Sequence, residues 1–294
     1  MQRFLADVPH IPVHKLGRLP LGIAAVTLLL LSVSVAHAAP VSRPSVSLRP
    51  ADAQGHEVSG PGYFVLTARP GSTTRLYALV GNNGRASATI SLVPVDARSG
   101  VYGGISLDLP NEPRRDVGSW VTLGRRSVAL KPGKGAVIPL SVRVPARTRP
   151  GQYIGGLTAF VPISTRQQRA GLSITVQTRV ALGILVTIPG SRAAHLALRG
   201  VGIERRPGVT YLIVHLRNSG NTLLKGWGHL WIWRVGSAHP IMDTALTLAT
   251  TVPQTVVDYP IGWRRGPFPG QYTFSLTVWW KGGQVMQHGS FRVR

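Results

Sequence analysis

The chain has 294 residues, no cysteine, and a formal net charge of +23 from 33 Lys and Arg against 10 Asp and Glu. Without cysteine there is no disulfide framework, thiol catalysis, Cys-ligated zinc or iron–sulfur cluster. With 34 Gly and 23 Pro spread evenly along it, the chain reads as many short strands joined by turns rather than as long helices.

Residues 1–38 read as an export signal. Arg3, Lys15 and Arg18 form a basic start, Leu21–Val35 an apolar core, and Ala36-His37-Ala38 a small-x-small cleavage site with Ala39 as the first mature residue. The core falls short of the ~20 residues of a membrane span; counted from Leu19, an uncleaved membrane anchor is the alternative. Cleavage removes three basic residues and Asp7, leaving +21. Such a charge draws a protein toward polyanions, although a general arginine bias or an acidic habitat accounts for it equally well. No C-terminal membrane anchor is expected, and the basic residues lack the aromatic interleaving of a specific nucleic-acid site.

The next segment, 39–190, shows apolar alternation over Ser45–Leu48, Tyr63–Ala68, Thr73–Val80, Ala86–Val95, Trp120–Leu123, Ser127–Leu130, Ala136–Val144, Gln152–Val161 and Leu172–Ile188. The last run is long enough to bend or divide around Gly183, and places Ile174, Val176, Thr178 and Val180 on one face. Arg98–Gly118 is a Gly/Pro-rich insertion holding Asp108, Glu112 and Asp116, with Arg114 and Arg115 among them; local ion pairing explains this cluster better than a metal site. Pro189-Gly-Ser-Arg192 is a linker. Residues 191–294 follow with seven runs: His195–Ile203, Val209–Arg217, Trp227–Val235, Ile241–Thr250, Thr255–Ile261, Gln271–Trp280 and Gln284–Val293. Pro-Gly-Gln-Tyr occurs at both Pro150–Tyr153 and Pro269–Tyr272, and Asn-rich turns at Asn82, Asn83 and Asn218 precede each copy. The expected fold is all-β, two immunoglobulin-like sandwiches in tandem.

Tyr153 and Tyr272, each opening a strand after a Pro-Gly turn, fit structural tyrosine corners. The asparagines fit turns because Asn and Gly tolerate positive φ. The mature histidines (His56, His195, His215, His229, His239, His288) show no metal spacing, and neither a nucleophile elbow nor a phosphate loop is present. No cofactor, metal or catalytic residue is therefore assigned, and the chain reads as a non-enzyme. Binding candidates are Trp227, Trp231, Trp233 and Trp279. Strand alternation puts the first three on one face with His229, opposite Leu230 and Ile232, and puts Trp279 opposite the apolar Phe274, Leu276, Val278 and Trp280. Core filling or packing between domains is the plainer alternative for these indoles.

Gly62–Pro162 resembles the N-terminal, peptidoglycan-binding-type domain of the WxL-interacting surface proteins of Gram-positive bacteria. The resemblance rests on Tyr63-Phe64, Pro70-Gly71, Asn82-Asn83, Asp96-Ala97, Trp120-Val-Thr-Leu123, Val128-Ala-Leu-Lys-Pro-Gly133, Val144-Pro145 and Gly151-Gln-Tyr-Ile-Gly-Gly156. The second half is similar only in outline, and the C-terminal anchor usual in the family is not expected here. The resemblance implies a secreted, cell-wall-associated binding protein whose first domain contacts wall polymer and whose second contacts a surface protein. The alternative is an adaptor or chaperone-like sandwich that binds a partner protein by edge-strand pairing.

Overall fold

In the computed structural model the described residues are 45–162, 167–169, 172–174, 177–263 and 266–294. The export-signal reading, with Ala38 and Ala39, lies outside them. Among them no helix is long and apolar enough to cross a membrane. The described residues form one compact unit. It consists of two immunoglobulin-like β-sandwiches in tandem, and the fold class is all-β.

The first sandwich contains β1 (Val46–Ala51), β2 (Phe64–Thr67), β3 (Thr73–Asn82), β4 (Ala88–Ser99), β5 (Ile105–Leu107), the helical turn α1 (Val117–Trp120), β6 (Val121–Leu123), β7 (Ser127–Leu130), β8 (Gly135–Arg143) and β9 (Gly151–Phe160). The short hairpin β10 (Gln167–Arg169) and β11 (Leu172–Ile174) precedes its last strand, β12 (Arg179–Ile188). One sheet runs β1-β3-β8-β6; the other runs β2-β12-β9-β4-β5, with β7 also on β4. The long run expected at Leu172–Ile188 therefore divides before Arg179 and not at Gly183; its earlier part pairs with β10. The expected alternation through Val176 lies outside the described residues. Trp120 belongs to α1, not to a strand. Pro94 sits inside β4 without breaking it. It pairs with Leu157 of β9 on one side, and its other side falls between the ends of β7 and β5, where no ladder needs its missing N–H.

The second sandwich contains β13 (Leu196–Arg206), β14 (Val209–Asn218), β15 (Gly226–Arg234), β16 (Met242–Thr247), β17 (Val256–Trp263), β18 (Gly270–Trp280) and β19 (Gly283–Val293). Its sheets run β13-β14-β17 and β16-β15-β18-β19. Each sandwich has its own hydrophobic cluster: Ile90, Leu157, Leu182 and Ile184 are fully enclosed in the first, Leu212, Leu216, Leu230 and Ile232 in the second.

The repeated Pro-Gly-Gln-Tyr brings the two halves into register. Gly151 and Gly270 begin β9 and β18 at φ +151° and +157°, a region that L side chains rarely adopt. Ile188 of β12 pairs with Gly151, and Val293 of β19 pairs with Gly270. Counting back from these pairs makes β9 equivalent to β18 and β12 to β19. The hydroxyl of Tyr153 donates to the Arg149 carbonyl at 3.0 Å, and that of Tyr272 to the Phe268 carbonyl at 2.6 Å, each four residues back.

The asparagines repeat as well, for a reason other than positive φ, because among the described residues only Gln254 is a non-glycine at positive φ. The Asn82 carboxamide donates to the carbonyls of Ala86 and Leu130 and accepts from the Gly84 N–H. Asn218 does the same with Thr222, Thr251 and the Gly220 N–H. Both are buried, and each pins a turn to a remote loop. Asn83 is exposed beside this device.

The sandwiches are joined beyond their linker. Asn221 donates to the carbonyls of Pro150 and Ser191 and accepts from the Ala193 N–H, while Gln152 bonds the backbone of Asn221 and Leu223. The Arg98–Gly118 insertion forms a second junction. The Ser99 hydroxyl bonds Thr255 and the Val252 N–H, and the Asp258 N–H donates to the Val101 carbonyl. The Arg206 guanidinium contacts both the Tyr102 and Tyr211 rings. The insertion is thus a strut between the sandwiches. Arg98, not Arg114 or Arg115, pairs with its Asp108 and Glu112.

Candidate binding surface

Pairing of β15 with β18 sets Trp227 opposite Trp279, His229 opposite Thr277, Trp231 opposite Ser275 and Trp233 opposite Thr273. Leu230, Ile232, Leu276 and Val278, on the alternate positions, are fully buried. Because successive strand residues point to opposite faces, the candidate indoles all lie on the outer face of this sheet. Trp227 is 54% exposed; Trp231, Trp233 and Trp279 are half-buried. The His229 ring stacks on Trp231 with centroids 4.0 Å apart, and its Nε2 lies 2.5 Å from Asp243 of β16. Met286 of β19 is exposed beside Thr277. The other indoles of this half, Trp263 and Trp280, are core residues.

The first sandwich shows that this row is not demanded by the fold. By the same register, the positions equivalent to Trp227, His229 and Trp231 are Ser91, Val93 and Val95. A sandwich of this design closes without aromatics there, so the indoles add a flat apolar area that the core does not use.

Sequence reasoning did not single out the edge of this sheet. β19 lies along it for eleven residues, Gly283–Val293, without proline or acid and with Arg292 as its only formally charged residue. The other edges are guarded in the ways sheets usually avoid unwanted pairing. β1 carries Arg49 and Pro50. β13 has a bulge between Leu198 and Gly200, with Arg199, Glu204, Arg205 and Arg206 along it. β17 contains Pro260 and is partly covered by the bond from Asp258 to Val101. β16 is short and carries Asp243; β5 and β6 have three residues each, and β2 and β7 four each. β12 is covered by β2 over Ile184–Thr187; among the described residues no strand pairs with that side of Arg179–Gly183.

Among the described residues no three His, Asp or Glu side chains come together as metal ligands. His56 pairs with Asp52, His215 with Asp258 and His229 with Asp243, each at a separate place. The Asp96 carboxylate is spent on the backbone N–H groups of Arg115, Asp116 and Gly118. Burial, and then the Asp96 charge, raise the Asp116 pKa above the ordinary value. A cleft of about 710 Å³ between β4, the insertion and β6 is lined by Arg114, Arg126, Glu112 and Ser119; it holds no nucleophile–base pair.

No family model matches the chain, and no curated protein matches it. Among solved structures the chain is similar to the class 5 fimbriae chaperone CfaA, at 11% identity and a TM-score of 0.37, covering 83% of this chain and 98% of that one. It is also similar to the CsuC–CsuE chaperone–tip subunit pre-assembly complex of Acinetobacter baumannii, at 10% identity and 0.39, over 83% and 97%. The E. coli chaperone DraB gives 11% and 0.33, over 85% and 98%. Similarity at this level assigns no partner to this chain.

Proposed function

We propose that this chain is a non-enzymatic, exported adaptor of the cell envelope that binds a partner protein by pairing with a sheet edge. The observation that carries the reading is β19: an eleven-residue edge without the proline, acid or bulge found on the other long edges, in a sheet whose outer face bears the exposed Trp227 and three half-buried indoles. Backbone N–H and C=O groups along such an edge give affinity to any extended segment, and neighbouring side chains select among segments. The test uses the absence of native thiols. A bifunctional crosslinker placed through Ser290→Cys on β19, or through Arg125→Cys on a distant exposed loop, is activated in the intact envelope. A saturable adduct of one mass from the β19 site alone supports the reading. Equal labelling from both sites, or none from β19, refutes it.

A second reading has its own observations. The outward indoles, the net charge and the resemblance of Gly62–Pro162 to a wall-binding domain support contact with an anionic cell-wall polymer. The full chain and its Trp227→Ala variant are passed over purified wall material at low and high salt. Retention that falls with salt and with loss of the indole supports polymer binding; no retention at low salt removes it.

A further inference from the structure

The two sandwiches repeat one design, but one strand of the first has no counterpart in the second. In the first, the chain leaves the edge of β3 after Ala51, crosses, and runs as β2 parallel to β12, pairing Phe64 to Thr67 with Ile184 to Thr187. In the second, β13 stays beside β14 through to Arg206 and turns straight back at Pro207-Gly208. Among the described residues nothing pairs with the outer edge of β19. Ile184, Leu185, Val186 and Thr187 of β12 are equivalent to Gly289, Ser290, Phe291 and Arg292 of β19.

Burial records the difference. On β12 the core-facing Leu182, Ile184, Val186 and Ile188 are at most 1% exposed. Their equivalents Gln287, Gly289 and Phe291 are all only half-buried, and of the four only Val293 reaches full burial. The Gln287 Oε1 is shut off from solvent and has no hydrogen-bond partner, at the position where the covered strand has Leu182. Phe274 has grown into part of the space: a Cβ on its neighbour Gly289 would lie 2.6 Å from the ring. The second sandwich therefore has an incompletely covered margin where the first has β2.

We infer that this margin receives an extended segment of a partner protein, running parallel to β19 along Gly289–Arg292 and doing in trans what β2 does for β12. The inference rests on the edge-pairing function proposed above, and adds direction, register and sequence pattern. The segment resembles β2, Phe64-Val-Leu-Thr67: an apolar residue at the first and third positions turns in beside Gly289 and Phe291, and the second and fourth face outward beside Ser290 and Arg292. An acidic residue at the fourth position suits Arg292, the only formal charge on the edge.

The probe is a synthetic peptide with the chain's own sequence from Gly62 to Arg69, carrying one cysteine in place of either Val65 or Thr67. The full-length protein carries Ser290→Cys or Arg292→Cys, both on outward positions of the edge. Under thiol-exchange conditions, parallel in-register pairing predicts disulfides between the position-65 peptide and site 290, and between the position-67 peptide and site 292. These exceed the crossed combinations about tenfold, the discrimination given by about 1.4 kcal/mol. A crossed pattern means antiparallel addition: it overturns the inference while leaving edge pairing intact. Equal yields in all four combinations, or none, overturn the inference, and the envelope crosslinking described above then decides the function separately. Disulfide-linked dimers of the protein itself, formed in place of peptide adducts, would identify a second copy as the occupant and overturn the partner assignment.

Discussion

Asn218 offers the sharpest test of how the repeated design is held. Its side chain is fully buried and makes three bonds, at 2.8 Å to Thr222 O, 3.2 Å to Thr251 O and 3.0 Å from Gly220 N. In Asn218→Ala the Thr222 carbonyl and the Gly220 N–H lose their carboxamide partner, and the Thr251 carbonyl keeps only the Leu224 N–H. Taking about 1 kcal/mol for each bond, with a larger cost for any group that water cannot reach, the loss is about 3 kcal/mol. With a urea slope of about 2 kcal/mol/M, the unfolding midpoint drops by roughly 1.5 M. Tryptophan fluorescence is the natural assay, since Trp227, Trp231, Trp233, Trp263, Trp279 and Trp280 all lie in the second sandwich and Trp120 alone lies in the first. Asn82→Ala carries a similar cost in the first sandwich, followed there by Trp120. Asn83→Ala, on an exposed neighbour, stays within about 0.5 kcal/mol. Were Asn218→Ala to cost under about 1 kcal/mol, or Asn83→Ala as much as Asn82→Ala, the carboxamide account would fail and simple turn preference would replace it.

Tyr272→Phe removes a buried hydroxyl bond and costs about 1 kcal/mol in denaturant unfolding, whereas Tyr153→Phe, at an exposed bond, costs under about 0.5 kcal/mol. Gln287→Leu restores the residue found at the covered position of the first sandwich and removes an unpartnered carbonyl, raising stability by about 1 kcal/mol; a lower urea midpoint would show that the margin is already well packed. Asp116→Asn tests the electrostatics of the insertion. Because its folded pKa is raised, chiefly by burial and then by Asp96, the folded state holds that proton more tightly than the unfolded chain does. Stability is lost as pH rises from the unfolded value of about 3.9 through the folded one. The variant is therefore more stable than the natural chain at pH 7, with a gain that vanishes below about pH 3.5; a gain independent of pH would exclude this cause.

The facing of each indole was legible in the strands themselves. Alternation alone separates Trp227, Trp231 and Trp233 from Leu230 and Ile232, because a pleated strand leaves no other choice. Exposure was not legible: Trp227 is more than half exposed and Trp279 is not, and that depends on neighbours supplied by β16 and β19. The asparagines were visible as turn markers, but their partners Leu130 and Thr251 lie 48 and 33 residues away, beyond any local rule. The insertion read as a Gly/Pro-rich segment with local ion pairs, whereas its work as a strut is done by Ser99, Val101 and Tyr102 against residues more than a hundred positions later.

By itself the sequence determined the all-β class, the repeat and the alternation of each strand, because these follow from local periodicity and from turn residues whose backbone demands are steric. Which strands become neighbours, and above all which edge is left without one, was decided only by the tertiary structure. β2 and β12 are separated by more than a hundred residues, and a parallel partner leaves no mark on the strand it covers except how completely that strand's side chains are shielded from water.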